Sequence, residues 1–297
     1  MAAPRYYERL LTVGAVFIVF FVVMIIVLPV IKPFIGYDTR NGMLLASVIQ
    51  AVILFIVPSF LSGYFINRRP LSYLTLNKAP SWISILGVVL AYLISLPALN
   101  QLIYWNAHIS FPESLAVWGE TMRAMEDTAN EAAHRMMDVT SFGSLVVNLL
   151  VIALVTAFGE ELFFRGTLQR TAGSNGMHHT AIWVVALLFS TMHLQIFGFV
   201  PRLILGAWFG YIFYWTGSIY VPIIAHFINN GVVVVCTWLN ARGGSYDFDN
   251  FGVAEYGFPL AAFVSAVAIV IFLTYFRKFF FDTSYEINKE NEDIEYV

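Results

Sequence analysis

The chain has 297 residues, of which 59% are hydrophobic and 12% charged, with a formal net charge of −3. A typical soluble domain carries about 25% charge, so no water-soluble fold hides this much apolar surface. The small net charge, with no run of Lys or Arg along a helix or loop, sets nucleic acid aside as a partner, and a single cysteine, Cys236, excludes an internal disulfide and a Cys-rich zinc cage.

A helix needs roughly 20 apolar residues to cross a hydrocarbon core. Such runs predict about eight transmembrane helices, near residues 10–31, 43–66, 81–104, 141–172, 179–197, 203–215, 219–239 and 256–276. The first is too long for a signal-peptide core and has no small-residue cleavage site before Lys32, so it reads as a retained span. The longest connection, 106–140, repeats Leu115, Trp118, Met122, Met125, Ala129, Ala132 and Met136 at helical spacing. That pattern predicts an amphipathic helix resting on the membrane surface, a commoner use of it than a lid. Gly206 and Gly210 form a small-xxx-small pair, which packing explains.

The expected fold is therefore all-α: a polytopic membrane helical bundle forming one domain over residues 1–281, with its polar motifs at 141–240. An acidic tail, 282–297, holds Glu286, Glu290, Glu292, Asp293 and Glu295 with little apolar content and reads as disordered. Arg5, Arg9, Arg68, Arg69, Lys78, Arg170, Arg277 and Lys278 fall on one side of the bundle. The positive-inside bias makes that side, with both termini, cytoplasmic. Lys32, Arg40, Arg123, Arg135, Arg202 and Arg242 fall on the other, several beside acids.

Six residues are too costly in a bilayer to be decoration. The fourth span contains Glu160, Glu161 and Arg165, and a charge at mid-membrane costs at least ~2.5–3.5 kcal/mol on insertion scales. Glu161 and Arg165 are spaced to pair on one helix face, whereas Glu160 points about 100° away from Glu161 and has no local partner. The fifth span ends its polar run at His193, and the seventh carries His226 and Asn230 one turn apart. At 1.5 Å per residue, Glu160 and His193 lie roughly 18 and 21 Å from the turn that joins their helices, so they share a depth. Each alone has a structural explanation, such as a helix-bridging Asn or a packed His. Together they supply a base, a polarising partner and oxyanion donors. His108, His134, His178 and His179 fall in connections and read as surface histidines.

Glu160-Glu161-x-x-x-Arg165, Phe189-x-x-x-His193 and His226-x-x-x-Asn230 resemble, in order and in placement on separate spans, the motifs of the CAAX prenyl protease type II family, also called CPBP or Abi intramembrane proteases. The resemblance implies an intramembrane endopeptidase acting on membrane-associated peptides or proteins, lipidated or not. It implies that Glu160 with His193 activates water, that His226 with Asn230 stabilises the oxyanion, and that Glu161 and Arg165 support the site. Whether a divalent metal takes part stays open: Glu160, His193 and His226 could bind zinc, but no HExxH motif supports it, and a metal-free glutamate mechanism uses the same residues. Two other classes use the same buried cluster, a proton-coupled transporter and a non-catalytic binding or immunity membrane protein. The lack of a second acidic motif weighs against a carrier built from repeats.

Overall fold

The computed structural model describes residues 5–295, with side chains described from Arg5 to Arg277. Among these residues there is no strand. The helices are α1 (Tyr6–Ile31), α2 (Arg40–Asn67), α3 (Trp82–Ala107), α4 (Ala116–Met137), α5 (Phe142–Gly173), α6 (His178–Met192), α7 (Phe199–Thr216), α8 (Tyr220–Ala241) and α9 (Leu260–Glu295). Hydroxyl side chains start several of them: Thr39, Ser81 and Ser141 each accept the backbone N–H three residues on, at 3.1 Å, satisfying donors that a helix N-terminus leaves open. Left-handed residues stop others, Arg68 at φ 61° after α2 and Gly217 at φ 59° after α7. The acidic tail expected at 282–297 lies beyond the residues whose side chains are described.

Among the described residues seven helices are long and apolar enough to cross a membrane, and α6, at 15 residues, is a shorter apolar helix beside them. The chain is a multi-pass integral membrane protein. The fifth span stops at Met192, five residues before the sequence pattern suggested, because the chain turns at His193 and Leu194, and Leu194 takes φ 54°. The next span starts correspondingly early, through a short 3-10 turn at Ile196–Gly198.

Helix α5 is the hub. It packs against α1, α2, α6, α7 and α8, and every residue from Gly159 to Thr167 is buried. A helix enclosed on all sides must be apolar or internally satisfied all round. Two of its stretches, Leu149–Val155 and Leu162–Gln169, are wound as π-helix, a form concentrated at functional sites. Helix α9 lies along α3 at the periphery.

Near one end of α5 the start of α1 and the connections after α2 and α7 are tied together. Tyr6 donates to the carbonyl of Ala172, Arg170 lies over the Tyr73 ring, and Ser218 donates to the carbonyl of Lys78. Tyr73, outside the spans, shares a hydrogen bond with Thr171, and burial pushes its phenol above the ordinary range.

The two glycines of α7 do more than admit a neighbour. A Cβ on Gly206 would sit 3.3 Å from Ala186 Cα and 3.2 Å from Phe189 Cδ1, so α6 and α7 touch backbone to backbone here. Gly206→Leu is expected to lower stability by about 1–3 kcal/mol through overpacking, read as a lower unfolding midpoint in detergent. Gly14→Leu on α1, where a Cβ meets nothing within 4 Å, is the control and should leave the midpoint in place.

Candidate active site

The polar residues singled out in the sequence lie on α5, on α8 and just past the end of α6. Glu161 is fully buried and uses one oxygen, Oε1, for two partners: Arg165 Nη1 donates to it at 2.8 Å, and His226 Nδ1 lies 2.8 Å away. The expected Glu161–Arg165 pair on one helix face therefore forms, and it is joined by a histidine from α8. Arg165, 1% exposed, also donates Nη2 to the carbonyl of Gly206 at 2.9 Å. Its guanidinium carbon sits 4.8 Å from the Phe189 ring and 5.3 Å from that of Phe209, within cation–π range.

His226 is held on three sides. Phe209 stacks on it at 5.0 Å and 19°, Phe189 meets it edge-on at 6.0 Å, and Glu161 takes Nδ1. A carboxylate can only accept, so Nδ1 carries a hydrogen and Nε2 is the nitrogen left for chemistry. Nε2 faces Glu160, whose Oε2 lies 3.8 Å away.

Glu160 stands apart from its neighbour, as the 100° step around the helix requires. Its Oε2 is buried without a hydrogen-bond partner. His193 lies on the other edge of Phe189, at 4.9 Å between ring centroids, with Nδ1 2.8 Å from the Phe189 carbonyl. That contact likewise fixes the hydrogen on Nδ1 and leaves Nε2 free. Glu160, Arg202 and His226 are the charged groups that act on it. Asn230 is one turn beyond His226 on α8; its Oδ1 accepts from Asn229 Nδ2 at 3.2 Å, which leaves its own amide N–H groups to other partners.

The zinc set weighed from the sequence does not assemble in this arrangement. Among the described residues no group of three or more His, Cys, Asp and Glu side chains is placed to hold a metal ion, and Glu160, His193 and His226 are not drawn together as a trio of ligands.

Sequence reasoning missed several members of the surroundings. Gln169 donates Nε2 to the carbonyl of Gly210 at 2.9 Å, repeating one turn later what Arg165 does with Gly206. The signal was present: Arg165 and Gln169 share the four-residue spacing of Gly206 and Gly210, so two polar rungs tie α5 to α7. Arg202 was assigned to a loop, but it lies at the first turn of α7, donating to the Gln195 carbonyl at 3.2 Å and to Gln195 Oε1, and it acts on Glu160. Phe209 carried no signal, since an aromatic in a span is ordinarily packing.

Residues 142–232 match the family model for the type II CAAX prenyl endopeptidase Rce1-like proteins, and that stretch contains all six site residues. Over this segment, about a third of its length, the chain is similar to the Rce1-like proteins. An uncharacterized protein of Bacillus subtilis (strain 168), YpbD, is 30% identical over 91 residues, covering 29% of this chain and 44% of that protein. The chain thus matches less than half the length of that relative. No solved structure matches it. The Rce1-like segment coincides with α5 to the middle of α8, the helices that carry the buried cluster.

In this segment Arg165 is the partner that offsets the Glu161 charge. Removing one member of a buried pair costs about 3–5 kcal/mol, because the other is left uncompensated. Arg165→Met is expected to lose stability on that scale in denaturant titration in detergent, and adding Glu161→Gln should recover part of the loss. An unchanged midpoint in Arg165→Met would show that the guanidinium does not hold the site together.

Proposed function

We propose that the protein is a CAAX-protease-like intramembrane endopeptidase that hydrolyses a peptide bond of a membrane-associated substrate. One observation carries this reading: Glu160 keeps a buried carboxylate oxygen unpartnered, 3.8 Å from His226 Nε2 and within electrostatic reach of His193. Glu161 Oε2 is likewise buried without a hydrogen-bond partner, but of the two it is the Glu160 oxygen that faces an imidazole Nε2, and a carboxylate oxygen so placed is poised to take a proton from water. The Rce1-like match over 142–232 supports the same reaction class.

In the reaction, Glu160 removes a proton from a water held between it and His193 Nε2. The hydroxide attacks the carbonyl carbon, and the carbonyl oxygen becomes the oxyanion. His226 Nε2, when the ring carries its second proton, and the Asn230 amide donate to that oxyanion. The proton taken by Glu160 then passes to the amine as the C–N bond breaks. Glu161 and Arg165 touch no substrate; they fix the tautomer and orientation of His226, as a carboxylate bonded to a histidine's other ring nitrogen does elsewhere.

The substrate is a peptide or protein at the membrane, with or without a lipid group, and both termini of the protein face the cytoplasm by the distribution of Lys and Arg. Glu160→Ala and His193→Ala are expected to abolish cleavage of a fluorogenic peptide while the protein remains folded and inserted. Asn230→Ala, which removes one oxyanion donor, should lower kcat about 10²–10³-fold. Full activity in Glu160→Ala or His193→Ala would remove the mechanism. Running the assay with farnesylated and unmodified versions of one peptide separates a lipid-requiring enzyme from a general one.

A further inference from the structure

The turn that follows His193 is fastened from outside the catalytic core. Helix α4, in the longest connection, carries four acids. Glu120, Asp127 and Glu131 are exposed, whereas Glu126 is 9% exposed and turned inward. Its Oε2 accepts the backbone N–H of Phe197 at 3.0 Å, across 71 residues of sequence. One turn earlier on α4, Arg123 lays its guanidinium carbon 3.4 Å from the centre of the Phe197 ring and donates Nη2 to the Ala107 carbonyl at 3.0 Å. Phe111 meets that ring edge-on at 6.1 Å. From α3, Asn106 brackets the same turn, donating to the Ile196 carbonyl at 2.9 Å and accepting the Val200 N–H at 2.7 Å.

These contacts close on a segment that needs holding. Leu194, next to His193, is a non-glycine residue at φ 54°, a strained conformation that persists only where the surroundings impose it. Leu194 is itself 68% exposed, so its own side chain does not anchor the turn. The restraint comes instead from Phe197, three residues on.

We infer that Glu126 is a positioning residue for the hydrolytic centre: by accepting the Phe197 N–H it fixes the 193–197 turn, and with it the placement of His193 against Glu160. The inference rests on the endopeptidase reading above, and it gives α4 a part in turnover beyond resting on the membrane. A carboxylate is not required for this bond, since an amide oxygen accepts the same N–H.

The test uses the full-length protein in detergent or liposomes, with kcat and KM measured per folded molecule and hydrogen exchange followed over residues 194–200. Glu126→Ala is expected to lower kcat about 10- to 100-fold, the scale of a small misplacement of a reacting group, with KM little changed and faster exchange at 194–200. Glu126→Gln should keep most of kcat and the slow exchange. The inference is overturned if Glu126→Ala turns over like the wild type, if Glu126→Gln falls as far as Glu126→Ala, or if exchange in Glu126→Ala is unchanged. Failure of the endopeptidase reading looks different: wild type and Glu160→Ala would then be equally inactive on every peptide tried.

Discussion

Everything at the centre of this protein depends on one oxygen atom, Glu161 Oε1, shared between Arg165 and His226 at 2.8 Å each. Glu161 and Arg165 are almost wholly buried, and each would be severely penalised alone in a bilayer-embedded bundle. The carboxylate makes the guanidinium tolerable, and the two donors make the carboxylate tolerable. Because the second donor comes from α8, the pair is also a tether between α5 and α8. It sets which nitrogen of His226 carries hydrogen, and so which nitrogen faces Glu160. A structural ion pair and the orientation of a reactive imidazole are one and the same interaction.

That cluster constrains the helices around it. Arg165 gives only Nη1 to Glu161, and its Nη2 is satisfied because α7 comes close enough to present the carbonyl of Gly206. Glycine at 206 is what lets α6 and α7 press together behind it. The second rung, Gln169 to the carbonyl of Gly210, extends the contact along a stretch of α5 wound as π-helix. Thr167 Oγ1 reaches back five residues to the carbonyl of Leu162 within that stretch, as i→i+5 winding invites. Small residues thus serve here as a source of backbone acceptors as well as of space, a combination suited to a membrane interior where water is not at hand to satisfy polar groups.

How legible this was in the sequence follows from the range of each interaction. The all-α bundle was readable because hydropathy is a property of contiguous residues, and the Glu161–Arg165 pair because it lies within one helical turn. The meeting of α5 with α8 was legible only through depth, which brought Glu160, His193 and Asn230 to comparable levels but could not say which carboxylate His226 would choose. It chose both, Oε1 of Glu161 closely and Oε2 of Glu160 at 3.8 Å. The end of the fifth span was misplaced because residues 194–197 are apolar enough to continue a helix, and nothing local signals that Leu194 will turn left-handed. Glu126 was invisible for the same reason: on an amphipathic helix with three other acids, only its burial distinguishes it.

The early stop of α6 has a physical corollary. Fifteen residues span roughly 22 Å, short of a hydrocarbon core of roughly 30 Å, so a helix starting at one face brings His193 to its inner end before the far face is reached. The short 3-10 turn at Ile196–Gly198 is then a break in the α-helical backbone at or near membrane depth, tolerated only when protein groups take its N–H and C=O groups. Asn106 takes the Ile196 carbonyl and the Val200 N–H, Glu126 takes the Phe197 N–H, and Ser190 donates to the Phe199 carbonyl at 2.6 Å. A longer α6 would need none of these partners, but it would carry His193 inside a continuous helix with its neighbours packed on all sides. Breaking the helix at that residue leaves His193 half-buried, with a free Nε2 at the edge of the cluster. The polar residues of α3 and α4 are the structural consequence of placing it there.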